Sequence, residues 1–131
     1  MYLTWNQALE TGIPLIDSQH KELFKQVNAL LDLENKNRFR ETLGFLEKYI
    51  AKHFGDEQKL QAESNYPKAA EHKKYHDGFV ATFNTLKDNF EKKGDSAVNN
   101  IELNNVAAGW LRNHILVHDK EFAAYYKSRA K

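Results

Sequence analysis

The chain has 131 residues, 41% hydrophobic and 28% charged, with a formal net charge of +1. That length suits one domain with its own core, and the near balance of charge gives no electrostatic footprint for nucleic acid or for an anionic membrane. The lack of any cysteine excludes disulfides, thiolate zinc sites, iron–sulfur clusters and C-x-x-C-H haem attachment. No apolar run approaches the roughly 18 residues of a transmembrane helix. The opening stretch, MYLTWNQALETGIP, carries neither a basic n-region nor an apolar h-region. The expectation is one domain over 1–131, located in the cytoplasm and not inserted in a membrane.

Residues 1–16 read as an irregular arm with Trp5, Ile13, Leu15 and Ile16 to bury. Asp17 reads as an N-cap, and the helix after it, over roughly 18–36, carries His20, Leu23, Phe24, Val27, Leu30 and Leu31 at helical spacing. The polar LENKNR reads as a turn. A second helix, roughly 39–63, carries Leu43, Leu46, Ile50, His53, Glu57 and Leu60 in alternating steps of three and four, a heptad-like seam. ESNYPK ends it, with Pro67 suited to the first turn of a third helix over roughly 68–92. That helix carries His72, His76, Phe79, Phe83, Leu86 and Phe90 in the same alternation. KKGDSAVNN supplies the next loop. The fourth helix, roughly 101–127, carries Ile101, Leu103, Val106, Trp110, Leu111, His114 and Val117. Four helices joined by short polar loops predict an all-α, antiparallel up-down-up-down four-helix bundle with an N-terminal arm.

In the second and third seams His53, Glu57, His72 and His76 occupy positions where the pattern calls for Leu or Phe, so they face inward. His20 shares the buried stripe of the first helix, and His114 follows Trp110 by one turn in the fourth. In an up-down-up-down bundle the start of helix one, the end of two, the start of three and the later half of four lie at the same end. Five imidazoles and a carboxylate therefore meet at one level of the core. A lone inward histidine is commonly a hydrogen-bonded core residue. Six unpartnered polar groups, at about 2–7 kcal/mol each, would exceed the whole net stability of a domain, about 5–15 kcal/mol. A bound metal satisfies them together.

Six or seven nitrogen and oxygen donors are too many for one tetrahedral zinc and suit two metals bridged by carboxylate. Imidazole and carboxylate without thiolate favour iron over manganese or copper. The chain has no Glu-x-x-His, the signature of carboxylate-rich di-iron bundles, so the site is histidine-rich. Neutral imidazoles leave less negative charge on the metals, which favours reversible chemistry.

DSQH at 17–20, HFGDE at 53–57, YPKAAEHKKYH at 66–76 and WLRNHILVHD at 110–119 resemble hemerythrin in its single-domain bacterial form, and the likeness runs from Trp5 to Asp119. The resemblance implies a non-haem di-iron centre with an oxo or hydroxo bridge. One iron would be held by His72, His76 and His114. The other would be held by His20 and His53 and keep an open position, with Glu57 and Asp119 bridging the pair. Periodicity alone would choose His118, four residues after His114, over Asp119, which is five after and about 140° around the helix. The family pattern His-x-x-x-x-Asp chooses Asp119, which a local helix distortion would turn inward. It leaves His118 near the site or at the surface. Gln58 and Gln61 depart from the family at positions often held by an acid and a methionine.

Leu23, Phe54, Trp110, Leu111 and Ile115 stand beside these donors and are expected to line the open iron's O2 pocket. A dry apolar pocket excludes water and protons. No Ser, Cys or additional Glu stands there as an acid or base, which favours binding over turnover. The function so implied is reversible O2 binding for transport or storage, by a monomeric, non-enzymatic protein serving an oxygen-consuming enzyme as a transient partner. The alternatives are a di-iron oxidase or peroxidase, a nitric-oxide-handling enzyme, or an O2 or iron sensor.

Overall fold

The computed structural model describes residues 2–31, 36–93 and 97–129. A single 3-10 turn at Gln7–Leu9 is followed by helices α1 (Pro14–Ala29), α2 (Lys36–Glu63), α3 (Ala69–Lys93) and α4 (Ala97–His114). One π-helical turn, Ile115–Asp119, then leads into α5 (Lys120–Arg129), which continues the course of α4. There is no strand among the described residues. Contacts join α1 to α2, α2 to α3, α3 to α4 and α4 back to α1, the closed ring of a four-helix bundle.

The helix limits differ from the sequence expectation where local chemistry overrides periodicity. α1 starts at Pro14, whose fixed φ suits a first helical residue. Asp17 is therefore inside the first turn, and its carboxylate accepts from the Thr11 amide and hydroxyl (2.8 Å each) and from the Gly12 amide (3.1 Å). It fastens the arm to the helix instead of capping the helix. Gly12 takes φ +82°, which favours glycine, and a Cβ there would meet the Lys127 side chain at 2.9 Å. Lys36–Arg38, expected in a turn, belong to α2, and Asp32–Asn35 lie outside the described residues. Likewise Lys92 and Lys93 end α3 and Ala97–Asn100 begin α4, while Gly94–Ser96 lie outside the described residues.

α2 stops in a Schellman motif. Asn65 takes φ +56°, the Tyr66 amide donates to Gln61 O (2.9 Å) and the Asn65 amide to Ala62 O (3.2 Å). Pro67 precedes α3 instead of opening it. The arm is held by a reciprocal pair: Leu3 N donates to Asn28 Oδ1 (2.7 Å) and Asn28 Nδ2 to Leu3 O (2.9 Å). Leu15, Ile101 and Val117, expected in the core, are 49%, 41% and 50% exposed. Leu15 sits one residue before buried Ile16, about 100° around α1 and off its buried stripe, and the π turn rotates Val117 outward.

Two apolar clusters divide the interior. The larger fills the bundle and includes Leu23, Phe24, Leu46, Phe54, Phe79, Phe83, Leu111 and Ile115. The smaller, of Ile13, Ile16, Tyr66, Phe122 and Ala123, closes the end at which α1 begins and α2 finishes. The inward polar residues lie between the two.

Candidate metal centre

Each of the helices α1 to α4 contributes to that polar layer. α1 supplies His20, α2 supplies His53 and Glu57, α3 supplies His72 and His76, and the α4–π junction supplies His114 and Asp119; all seven are at most 3% exposed. They form two overlapping sets. Glu57, His72, His76, His114 and Asp119 make one, and His20, His53, Glu57 and Asp119 make the other; within each set the donor atoms lie within 4.8 Å of one another. Both carboxylates belong to both sets.

The contacts are Nε2 to Nε2 or Nε2 to oxygen. His72 Nε2 is 2.9 Å from His114 Nε2, and His76 Nε2 is 3.1 Å from His114 Nε2. Glu57 Oε1 lies 2.9 Å from His72 Nε2 and 3.1 Å from His76 Nε2. Asp119 Oδ1 lies 3.1 Å from both His72 and His114 Nε2. In the second set His20 Nε2 is 3.1 Å from His53 Nε2 and 2.9 Å from Asp119 Oδ2. Although close, all four oxygens of Glu57 and Asp119 lack a properly directed hydrogen bond among the described residues. With the imidazole nitrogens they cluster closely enough in each set to share one ion.

This arrangement fits metal ions better than a hydrogen-bond network. With the Nε2 atoms of His72 and His76 both against that of His114, the three cannot each find a proton acceptor in the others. Neighbouring ligands of an octahedral ion with bonds of about 2.1 Å stand roughly 3.0 Å apart, the spacing seen here. A tetrahedral ion with the same bonds spreads them to roughly 3.4 Å.

The electrostatics fit as well. Burial opposes charge on Glu57 and Asp119, and their mutual repulsion raises Glu57 further. The surrounding imidazoles outweigh this and hold both below the usual carboxylate range. Burial, then His20, lowers His53 to about 4. Burial also works against protonation of His72, but Asp119 and Glu57 overcome it and raise His72 to about 9.

The π turn decides between His118 and Asp119. The Lys120 amide donates to Ile115 O, five residues back. The wider turn brings Asp119 round to the face of His114. His118 belongs to neither donor set; its ring stacks on Tyr75 at 4.1 Å.

Of the expected pocket residues, Leu23, Phe54, Trp110 and Leu111 line a cavity of about 10 Å³ together with aliphatic and aromatic neighbours such as Ile50 and Phe79. Ile115 is fully buried but is not part of that lining. Phe54 lies flat on His76 (3.8 Å between ring centres, 2°) and Trp110 on His114 (4.3 Å, 12°), so the cavity walls also fix two donor rings. Two residues have roles that the sequence reading did not assign. Gln19 Oε1 accepts from His53 Nδ1 at 2.7 Å, and Gln58 Oε1 from His76 Nδ1 at 3.0 Å. Gln19 had a visible signal: it is a polar residue on the buried stripe, three after Ile16 and four before Leu23.

The chain matches the model of the hemerythrin HHE cation-binding domain over residues 11–126. It is 31% identical over 117 residues to bacteriohemerythrin of Pseudomonas paraeruginosa, covering 87% of this chain and 74% of that one. It is 34% identical over 111 residues to myohemerythrin of Theromyzon tessulatum, covering 85% and 82%. Wild-type hemerythrin in crystal form superposes with a TM-score of 0.84 at 30% identity, covering 96% of this chain and 98% of that one.

Proposed function

The chain belongs to the hemerythrin family, and from that premise we propose that its polar layer holds two irons and binds O2 reversibly, for transport or storage. His72, His76 and His114 would hold one iron and His20 and His53 the other, with Glu57 and Asp119 available to both. The observation that supports this most is the pair of overlapping donor sets sharing both carboxylates. The two sets are unequal, three histidines against two, so an iron in the two-histidine set would have room for a small ligand. When bound, the iron pair supplies two electrons that are lent to O2 and recovered on release.

The protein's part is to orient, enclose and keep dry. Rings clamped by Phe54 and Trp110 keep their Nε2 atoms in place. The cavity beside them is about large enough for one small molecule, and its aliphatic and aromatic walls offer no proton donor in reach of a reactive oxygen species. The lack of an acid or base there supports a carrier over an enzyme. All seven donors come from one copy of the chain, so the working unit on this reading is a monomer. An oxygen-consuming enzyme is the partner it would serve.

The test is to load the protein with ferrous iron under anaerobic conditions, count iron, and record visible spectra before O2, with O2 and after its removal. Two irons per chain and a colour that appears with O2 and bleaches without it are expected. Two irons with irreversible oxidation would replace the carrier with an oxidase. One metal or none would overturn the di-iron assignment.

A further inference from the structure

Beside the two-histidine set lies a chain of hydrogen bonds that leads out of the site. His53 Nδ1 meets Gln19 Oε1 at 2.7 Å, and Gln19 Nε2 donates to Asp56 Oδ2 at 2.7 Å. Gln19 is 3% exposed and His53 is 1% exposed, while Asp56 is half-buried at the rim. His53 and Asp56 are three apart on α2 and so share a face, and Gln19 of α1 is wedged between them. We propose that Gln19 and Asp56 form a positioning relay that locks His53 in one tautomer and brings the carboxylate's negative charge to bear on the iron with the open position.

The amide has one workable orientation. Its Nε2 must face Asp56, because turning Oε1 there would set oxygen against carboxylate. Oε1 then faces His53 Nδ1, which must carry the ring proton. His53 Nε2 is left with a lone pair pointing at the donor set, 3.1 Å from His20 Nε2. Gln19 thereby settles the ring before any metal arrives. It adjoins His20 in sequence, so one stretch of α1 places both histidines of this set. Partners of this kind fix ring direction and raise the basicity of a ligating imidazole. His20 Nδ1 has no such partner among the described residues, so the relay acts on one histidine of the pair. Gln58 holds His76 in the same way on the three-histidine side, and what Gln19 adds is a full negative charge behind the amide. That charge favours the more oxidised iron, since it stabilises the extra positive charge. The relay thus biases how readily this iron gives up its electron.

The relay rests on the di-iron reading for its effect on iron, but its first test does not. In the metal-free protein with ¹⁵N-labelled histidine, long-range ¹H–¹⁵N spectra at neutral pH should show His53 wholly protonated at Nδ1. Gln19→Ala should mix the two tautomers. Asp56→Asn, which no longer forbids the flipped amide, should erode the preference for the Nδ1–H tautomer. In loaded protein, Gln19→Ala should weaken iron binding about 10–100-fold, and Asp56→Asn should move the midpoint potential positive. An unchanged His53 tautomer in Gln19→Ala, or an unchanged potential in Asp56→Asn, would overturn the relay. Should Gln19→Ala fail to fold, Gln19→Met, which keeps the side-chain volume without an amide oxygen, takes its place, and an unchanged His53 tautomer there would overturn the relay. A wild-type chain that takes up no iron would instead sink the di-iron reading, with the tautomer result still deciding whether Gln19 locks His53.

Discussion

Replacing Asp119 with alanine removes an oxygen from both donor sets, whereas replacing His118 removes a ring that stacks on Tyr75 and lies 5.3 Å from the His114 ring but gives neither set a donor atom. Asp119→Ala should therefore lose most bound iron while His118→Ala retains two per chain, as measured by metal analysis; the opposite pattern would reverse the assignment. Protonation supplies a second prediction at this scale. In the metal-free protein His72 titrates near 9, above its ordinary 6.5, so its stabilising proton is fully present below about 6.5 and lost as pH rises through 9. His53 titrates near 4, so its contribution is present above about 6.5 and lost as pH falls towards 4. Iron must displace the His72 proton. Uptake near pH 7.5 should release that proton, and release should fade above about pH 10; calorimetry in buffers of different ionisation enthalpy measures it. Gln61 is a third case. Its amide is fully buried, one turn beyond Glu57, with no partner among the described residues for either side-chain polar atom. Gln61→Met should raise stability by about 1–3 kcal/mol in denaturant titration.

At the scale of elements, the π turn is what no periodic reading of the chain foresees. Ile-Leu-Val-His-Asp contains nothing that distinguishes it from ordinary helix, and the only hint was that Asp119 fell on the wrong face relative to His114. The seams of α2 and α3 were plain because histidine and glutamate replaced Leu and Phe without breaking the three-and-four alternation. The limits of α1 were hidden because Pro14 and Asp17 both have helix-start chemistry, and only the Thr11 and Gly12 contacts show which role Asp17 takes. Four residues of α-helix and five of π-helix both bring the chain back to one face. Deleting exposed Val117 should therefore convert the π turn to α-helix and keep Asp119 at the centre, with iron content unchanged. Loss of iron in that deletion would show that the centre needs the wider turn itself.

Over the whole molecule, the donor layer is enclosed by the main core on one side and the Ile13–Ile16–Tyr66–Phe122 cluster on the other. Without metal, buried carboxylates and imidazoles must neutralise one another by sharing protons. Iron should raise the melting temperature, since ligand at about a thousand times its dissociation constant adds about 4 kcal/mol to the folded state. Thermal melts with and without iron would measure it, and identical melts would mean that the layer is content without metal. Among the described residues no helix is long and apolar enough to cross a membrane. The placement of donors, at least one from each of α1 to α4, has a further consequence for assembly. A chain that threaded its helices in another order, or paired two of them in the wrong direction, would lack a donor in at least one set. Metal uptake thus proofreads topology, and iron content across a refolded population counts the molecules that found the correct one.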